Sequence, residues 1–371
     1  MFDHKHYVPV LKGRDGEYGA IQSTNAESRG NFTPLLELPP IRWDFRERKP
    51  ARTIDEHLQK VTQKIERAWG SERTLFLDLQ WIEEQERMKD GEHPVRFLFR
   101  SARARRLCLI PVVGLLRGED FLAACAEVIQ QDCLGVCIRI QREDFVDFAD
   151  MNSELRRVLD VLQASAQEAD LLLDLKALTP EAQQINPRDV VGLINRIPDL
   201  PSWRTFTMAA TSFPENLIGL PPSDCSLVPR LEWSLWHNVL MSRSALSRMP
   251  TFGDYAISHP EPSEVDPRVM RPSASVRYTV SASWLILKAR NLRDHGYGQF
   301  RDICRELVQK TEYCGREFSW GDKYIDDCAH ELVGVGNLTT WRKVGTSHHL
   351  AFVQRQLANV FGSSGSRAQL F

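Results

Sequence analysis

The chain has 371 residues, of which 42% are hydrophobic and 26% are charged, and its formal net charge at pH 7 is −2. This composition is that of a globular protein with enough apolar residues for a large core, which excludes global disorder. A net charge so close to zero also excludes a whole-protein attraction to nucleic acid or to an acidic membrane, so any such binding would be local.

Eight segments have the pattern of buried parallel strands, because each is short, mostly apolar and bounded by Pro, Gly or polar residues. In chain order they are 7–12, 32–38, 74–80, 107–115, 135–141, 170–176, 205–211 and 251–257. The helical patterns between them are 55–69, 93–106, 119–131, 152–167 and 187–197. This alternation predicts a closed (β/α)8 TIM-like barrel over residues 1–258, with an open α/β sheet as the alternative.

The pattern changes after residue 258. Residues 259–275 are rich in Pro, Ser and acidic residues, as is typical of a connector. The stretch SVRYTVSASWLILKAR predicts two strands joined by a turn, and FRDICRELVQKT and HHLAFVQRQLANVF predict helices. Residues 276–361 are therefore predicted to form an α+β module packed on the barrel, and residues 362–371 to fray.

Charged residues occur late in six of the predicted strands. Successive strand residues face opposite sides, so Lys12 is in phase with Val8 and Val10, and Asp174 is in phase with Leu172. The carboxyl end of a barrel interior is where barrel enzymes place their catalytic groups. With Gln80, Gln141 and Thr211 as polar neighbours, the charged residues predicted to converge there are Lys12, Glu37, Asp78, Arg139, Asp174, Lys176 and Asp254.

Two interpretations of these charges are open. In the first, the cations neutralise the carboxylates in a ring of structural salt bridges without chemistry. In the second, the charges form a ligand or catalytic site. We favour the second, because buried ion pairs stabilise a core poorly, whereas active sites need charge in a cleft.

The residue types in this group point to a class of chemistry. Carboxylates without His or Cys suit Mg²⁺ or Mn²⁺, and neighbouring Lys or Arg suits phosphate, which together predict metal-assisted hydrolysis. The predicted catalytic residues are Glu37, Asp78, Asp174 and Asp254, of which the first three are also the predicted metal ligands. The predicted substrate-binding residues are Lys12, Arg139 and Lys176, with a Schiff base on Lys12 or Lys176 as an alternative.

Aromatic and charged residues are dense between 314 and 352. Trp320, Arg342 and His348 are predicted to add a second surface for a ligand, a nucleic-acid strand or a protein partner. The alternative is that the tryptophans pack internally and that the adjacent histidines belong to a helix.

Several motifs are absent from the sequence. There is no GxxxxGK[ST], HExxH, GxSxG or GxGxxG, so no nucleotide cofactor is predicted. No apolar stretch approaches the roughly 20 residues of a spanning helix, and the first ten residues lack the layout of a signal peptide. The eight cysteines include no CxxC pair, which argues against zinc. These features predict a cytoplasmic protein with no membrane partner.

Five segments resemble the bacteriophage beta protein family, whose members occur in phages and bacterial genomes. They are YVPVLKGRDGEYGAI, FTPLLELPPI, FGDYAISHP, FSWGDKYI and GNLTTWRKVGTSHHLAFV. The resemblance runs from about residue 6 to residue 361. It implies that the barrel and the appended module are one family unit, and it suggests a mobile-element or anti-phage context, but it assigns no functional residue.

Two hypotheses of function follow. The first is a metal-dependent hydrolase that acts on a phosphate-containing or nucleic-acid substrate at the barrel mouth, in phage and host conflict or anti-phage defence. The second is a non-catalytic recognition protein that binds a phage or host protein through the module. The sequence leaves open whether the protein is an enzyme.

Overall fold

The computed structural model describes residues 2–145, 147–179, 187–222, 224–262 and 270–362. The strands are β1 (Tyr7–Leu11), β2 (Leu35–Glu37), β3 (Trp43–Asp44), β4 (Lys49–Pro50), β5 (Thr74–Asp78), β6 (Cys108–Gly114), β7 (Val136–Gln141), β8 (Ala169–Ala177), β9 (Thr205–Thr211), β10 (Asp224–Pro229), β11 (Thr251–Asp254), β12 (Ser273–Val280) and β13 (Ser283–Asn291). The helices are α1 (Asp15–Ser23), α2 (Ile54–Leu58), α3 (Val61–Trp69), α4 (Pro94–Ala104), α5 (Glu119–Asp132), α6 (Phe148–Leu162), α7 (Pro187–Asn195), α8 (Leu231–Met241), α9 (Leu292–His295), α10 (Gln299–Leu307), α11 (Trp320–Ala329) and α12 (Leu338–Gly362).

Eight of these strands close into a parallel barrel in the order β1-β11-β9-β8-β7-β6-β5-β2. Strand β2 pairs with β1, which closes the sheet and excludes the open alternative. Each barrel strand coincides with one of the eight segments predicted from the sequence, with β8 one residue longer at each end, so the (β/α)8 prediction is confirmed. No helix within the described ranges is long and apolar enough to cross a membrane.

The barrel interior is mostly apolar in the layers directly below its carboxyl end. Val8, Phe76, Ile110, Cys137 and Leu172 are buried there against one another. Four of these residues are on β1, β5, β7 and β8, where they precede a charged residue by two or four positions, as the predicted alternation requires. The helices cover the outer face of the sheet, which explains why these strands are nearly continuous apolar runs rather than alternating ones.

The structure adds elements that the sequence pattern did not predict. The predicted helix 55–69 is interrupted and forms α2 and α3. Helix α1 was not predicted because its sequence, DGEYGAIQS, contains two glycines, which are poor helix formers. Helices α8 and α11, strand β10 and the ribbon β3-β4 also lie outside the predicted elements.

The carboxy-terminal part contains a three-stranded antiparallel sheet in the order β10-β13-β12. Strand β10 lies in the chain between the barrel strands β9 and β11, within the predicted barrel range 1–258. The predicted limits of the module, 276–361, stay a prediction. Part of the predicted connector, 263–269, and the tail from 363 onward lie outside the described residues.

Helix α12 belongs to both parts of the molecule. Trp341 and Val344 pack into the core beneath the three-stranded sheet. Leu350, Val353 and Leu357 pack into the outer layer of the barrel. A single helix therefore joins the two cores.

Gly16 tests the packing of α12 against α1. A Cβ at this position would lie 2.8 Å from both Cβ of Arg342 and the carbonyl oxygen of Thr339. We expect Gly16→Ala to lower the free energy of unfolding by about 1–3 kcal/mol, because the helices must separate. Gly192→Ala in α7 is the control, since a Cβ there meets nothing within 4 Å. This substitution should raise the free energy of unfolding by about 0.5–1 kcal/mol, because alanine favours a helix more than glycine does. Urea unfolding measures both, and equal effects would contradict the close packing.

Candidate functional site

The charged side chains at the barrel mouth collect around the guanidinium of Arg139. Its Nη1 donates to Oδ2 of Asp78 at 2.5 Å, and its Nε and Nη2 donate to Oδ2 of Asp174 at 3.1 and 2.7 Å. Nη2 also lies 2.8 Å from Oε1 of Glu37 and 2.7 Å from the hydroxyl of Tyr255. All five side chains are buried. One arginine therefore holds carboxylates from three strands.

Lys12 is the second cation of this group. Its Nζ donates to Oε2 of Glu37 and to the backbone carbonyl of Pro260, and it lies 5.0 Å from the ring centroid of Tyr255. The barrel-mouth cluster is defined as Lys12, Glu37, Asp78, Arg139, Asp174 and Tyr255. Its three carboxylates outnumber its two cations, so one negative charge is uncompensated when all five groups are ionised.

Two half-buried glutamines adjoin the barrel-mouth cluster. Gln80 donates its backbone N–H to Oδ1 of Asp78 at 2.8 Å and its side-chain amide to Oε1 of Glu37 at 2.5 Å. The side-chain amide of Gln141 donates to Oε1 of Gln80 at 3.1 Å. Connected networks of this kind fix the positions of their members.

The predicted metal ligands face a cation of the protein itself. Every oxygen of Glu37, Asp78 and Asp174 accepts a hydrogen bond. Arg139 fills the space between them, and the described part of the chain has no group of three or more His, Cys, Asp or Glu placed to hold a metal ion. A divalent cation would have to displace Arg139. The geometry does not favour the Mg²⁺ or Mn²⁺ ion, which stays a prediction.

Glu37 and Asp78 are register partners on neighbouring strands, and their pKa values move in opposite directions. Burial raises the pKa of Asp78, Arg139 offsets this in part, and the charge of the neighbouring Glu37 raises the pKa further. Burial also acts on Glu37, but Lys12 and Arg139 outweigh it and hold the pKa of Glu37 below its ordinary value. The contrast arises because Glu37 touches two cations and Asp78 touches one.

Lys176 lies at the rim of the barrel rather than in the barrel-mouth cluster. The register of β8 shifts between Asp174 and Ala177, and Lys176 has a left-handed φ of 53°. Its side chain is 25% exposed, and its Nζ lies 3.4 Å from Glu143. The strand alternation therefore ends at Asp174, which corrects the expectation that Lys176 faces the interior.

Asp254 faces the outer side of the barrel. Its Oδ1 accepts a hydrogen bond from the hydroxyl of Tyr7 at 2.6 Å, and its Oδ2 lies 2.8 Å from Nε2 of His349 on α12. The residues that face the interior are instead Gly253 of β11 and Tyr255, which directly follows this strand. The structure therefore does not bring Asp254 together with the other predicted acids, because the alternation of β11 is offset by one residue from the predicted one.

His348 and Trp320 do not lie on a common surface. His348 is fully buried, with Nδ1 2.9 Å from Asp322 and Nε2 2.8 Å from the carbonyl oxygen of Thr279. Trp320 is half-buried, and Nζ of Lys343 lies 3.5 Å from the centroid of its ring. These contacts place both residues within the packing of the carboxy-terminal part.

Arg342 is the predicted substrate-binding residue of the carboxy-terminal part that reaches the barrel mouth. Its Nη1 lies 3.4 Å from Oγ of Ser258, in the loop after β11, and 3.9 Å from Oε1 of Glu17 in α1. Its side chain is 24% exposed. Arg342 therefore lies at the seam between the barrel and the three-stranded sheet.

Tyr255 is a member of the barrel-mouth cluster that sequence reasoning missed. The segment TFGDYAI can be aligned to either strand face, and the charge of Asp254 favours the wrong one. The usable signal is Gly253, because a Cβ there would lie 3.0 Å from the carbonyl oxygen of Val8. A strand position with so little room is expected to be glycine.

Comparisons with known proteins bear on the family and on the fold. A family model described as "Beta protein" matches residues 7–355, which is nearly the whole chain. No curated protein matches the sequence.

Solved structures match this chain at low identity and with low TM-scores. A mutant tryptophan synthase alpha-subunit from Pyrococcus furiosus is 14% identical, with a TM-score of 0.39 over 69% of this chain and 89% of that one. Triosephosphate isomerase from Bartonella henselae is 8% identical, with a TM-score of 0.36 over 68% of this chain and 93% of that one. Such weak likeness carries no argument about activity.

Arg139 is expected to be the most sensitive position of the barrel-mouth cluster. Arg139→Met leaves three buried carboxylates with Lys12 as their cation, so we expect a loss of about 3–5 kcal/mol in the free energy of unfolding at pH 7. The loss should shrink at acidic pH, where protonation neutralises the carboxylates. The control is Arg96→Met. The ion pair that Arg96 forms with Glu127 is exposed and should contribute about 0–1 kcal/mol to the free energy of unfolding. A similar loss in both variants, measured by urea unfolding, would contradict the central role.

Glu232 provides a test of pH dependence. It is buried beside Arg230 and accepts a hydrogen bond from Ser212, and burial raises its pKa to about 7. Because the folded-state pKa exceeds the unfolded one, Glu232 costs nothing below pH 4.5 and destabilises progressively as pH rises towards 7. The free energy of unfolding of Glu232→Gln relative to wild type should therefore rise by about 3 kcal/mol between pH 4.5 and pH 8. A pH-independent difference in urea unfolding would refute the assignment.

Proposed function

The chain belongs to the Beta protein family, and we propose that it is an enzyme whose barrel mouth hydrolyses a phosphate-containing substrate by acid–base catalysis. The observation that carries this proposal is the convergence of Glu37, Asp78 and Asp174 on Arg139 at the carboxyl end of the barrel. This is the end of the fold at which barrel enzymes have their catalytic groups.

The location of the charge supports a functional role over a purely structural one. Replacing a buried ion network by apolar side chains is often neutral or stabilising by about 1–4 kcal/mol. This chain packs the lower layers of its barrel with such side chains, including Phe76, Ile110 and Leu172. Among the described interior residues, charge is concentrated at the mouth, and the amino end adds the ion pair of Asp170 with the partly exposed Arg204. This concentration favours a requirement of chemistry over one of stability.

Glu37 and Asp78 are suited to opposite roles in proton transfer. Carboxylates whose environments separate their pKa values commonly divide the roles of acid and base. Asp78, with the raised pKa, donates a proton to the leaving oxygen as the ester P–O bond breaks. Glu37, with the lowered pKa, accepts a proton from the water whose oxygen forms the new bond to phosphorus. The protons then return through exchange with solvent.

Gln80 and Gly114 indicate where a substrate could approach. Gln80 is half-buried and contacts both carboxylates. Gly114 is the register partner of Arg139 on β6, and a Cβ there would meet nothing nearer than the Arg139 carbonyl oxygen at 4.0 Å. This leaves space for a reacting group next to the barrel-mouth cluster.

The role of a metal differs between this proposal and the expectation from sequence. Arg139 and Lys12 supply positive charge where Mg²⁺ or Mn²⁺ was expected, so the proposed reaction does not require a divalent cation. The recognition hypothesis ranks second, because two of its predicted residues, His348 and Trp320, are engaged in internal packing. A nucleic-acid substrate stays a prediction from the residue types at the barrel mouth, and a role in anti-phage defence stays an association of the family resemblance.

The proposal is tested with chromogenic phosphate monoesters and diesters, each with and without EDTA. Asp78→Asn and Glu37→Gln should each lower kcat by about 100-fold or more, as expected for removal of a catalytic acid or base. Glu127→Gln is the control, since this glutamate is exposed and pairs with Arg96. EDTA should leave the wild-type rate unchanged.

Three results would contradict the proposed function. They are a wild type that hydrolyses none of the esters, an Asp78→Asn variant that retains full activity while folded, and a wild-type rate abolished by EDTA and restored by Mg²⁺. Circular dichroism of each variant separates loss of activity from loss of fold.

A further inference from the structure

The barrel-mouth cluster cannot attract a phosphate group by itself. Its three carboxylates outnumber its two cations when all are ionised, and the charges only balance when Asp78 holds the proton that the proposed reaction requires, so the cluster has no positive excess in either state. A substrate that carries phosphate therefore needs a positively charged site nearby. The required charge is present at the seam between the barrel and the three-stranded sheet.

We infer that Arg14, Arg277 and Arg342 form a binding site for a phosphate group, and we call these three residues the arginine cluster. Arg14 precedes α1, Arg277 is on β12, and Arg342 is on α12. All three are half-buried. The link from this site to hydrolysis rests on the proposed function, whereas the binding site itself follows from the charge and geometry of the three arginines.

The arginine cluster has an excess of positive charge. Glu17 is the carboxylate next to it, with Oε1 at 3.9 Å from Nη1 of Arg342 and Oε2 accepting the backbone N–H of Arg14 at 3.0 Å. Three guanidinium groups against this one carboxylate leave two uncompensated positive charges among the described residues. A phosphate dianion would match that excess.

The guanidinium groups also have unused donors. Within the described ranges, the guanidinium of Arg14 makes no hydrogen bond or ion pair. Arg277 donates to the carbonyl oxygen of Ile257 at 2.9 Å and stacks on Phe213, with no carboxylate partner in the same ranges. Guanidinium groups present paired donors that fit phosphate oxygens. A protein that needed these arginines for packing alone would be expected to neutralise them.

The positive charges of the arginine cluster affect the pKa of Arg277. Burial, followed by the charges of Arg342 and Arg14, lowers the pKa of Arg277 to about 9. A bound anion would relieve that repulsion, so binding should stabilise the folded state.

Two short backbone segments connect the arginine cluster to the barrel-mouth cluster. Lys12 and Arg14 flank Gly13, which has a left-handed φ of 59°. In the loop after β11, Arg277 binds the carbonyl of Ile257, Arg342 contacts Ser258, and Lys12 binds the carbonyl of Pro260. The arginines that would bind the phosphate thus contact the same loop as Lys12 of the barrel-mouth cluster.

The test measures binding of inorganic phosphate to the full chain by calorimetry, at constant ionic strength set with chloride. Arg14→Gln and Arg342→Gln should each weaken binding by about 10-fold or more, the loss expected for a charge-assisted contact. Glu17→Gln should strengthen binding, because it removes the opposing carboxylate. A purely structural role of the arginines would not produce that opposite sign. Arg355→Gln is the matched control, since Arg355 is on the same helix but stacks on Phe318.

Thermal unfolding supplies a second readout. Phosphate stabilises most proteins weakly because it is excluded from their surface. The relevant quantity is therefore the difference in phosphate-induced Tm rise between wild type and Arg14→Gln. Glycerol 3-phosphate and a short single-stranded oligonucleotide distinguish a terminal phosphate from a phosphodiester backbone as the source of the group.

The inference is overturned if phosphate binds wild type no better than chloride does, or if both arginine variants bind phosphate as tightly as wild type. Its failure is distinguishable from that of the proposed function. Asp78→Asn should lose turnover but keep phosphate binding. If wild type binds phosphate but hydrolyses no ester, the arginine cluster stands and the hydrolase proposal fails.

Discussion

The burial of three carboxylates around Arg139 is the constraint on which the rest of the barrel mouth depends. Glu37, Asp78 and Asp174 come from different strands and would repel one another in a low-dielectric interior without a shared cation. A guanidinium can meet all three because its donors lie in one plane and point in several directions. The position of Arg139 thereby fixes the relative placement of β2, β5 and β8 at the level where the barrel opens.

Charge is distributed unevenly across this end of the molecule. The barrel-mouth cluster is negative in balance and the arginine cluster is positive, and a loop of a few residues contacts both. In the proposed reaction, an anionic group is drawn to one side of the mouth and proton transfer occurs at the other. The proposal thus assigns binding to one cluster and proton transfer to the other.

The sequence was sufficient for the fold and for most of the interior cluster. Short apolar runs identified all eight barrel strands, and alternation placed Lys12, Glu37, Asp78, Arg139 and Asp174 on the interior face. It failed at Lys176, where a bulge interrupts the strand, and at Asp254, where a one-residue offset exposes Tyr255 to the interior instead. The arginine cluster was inaccessible to pattern analysis, because its members lie far apart in sequence and meet through the packing of α12 on α1.

The course of β10 has an evolutionary consequence. In sequence, β10 lies between the barrel strands β9 and β11. It nevertheless pairs with β13, which follows the last barrel strand. A recombination event that joined a new carboxy-terminal segment after β11 would leave β10 without its partner strand and expose a sheet edge prone to association. Separating the barrel from the three-stranded sheet would therefore carry a structural cost, which is consistent with a family match that extends across both.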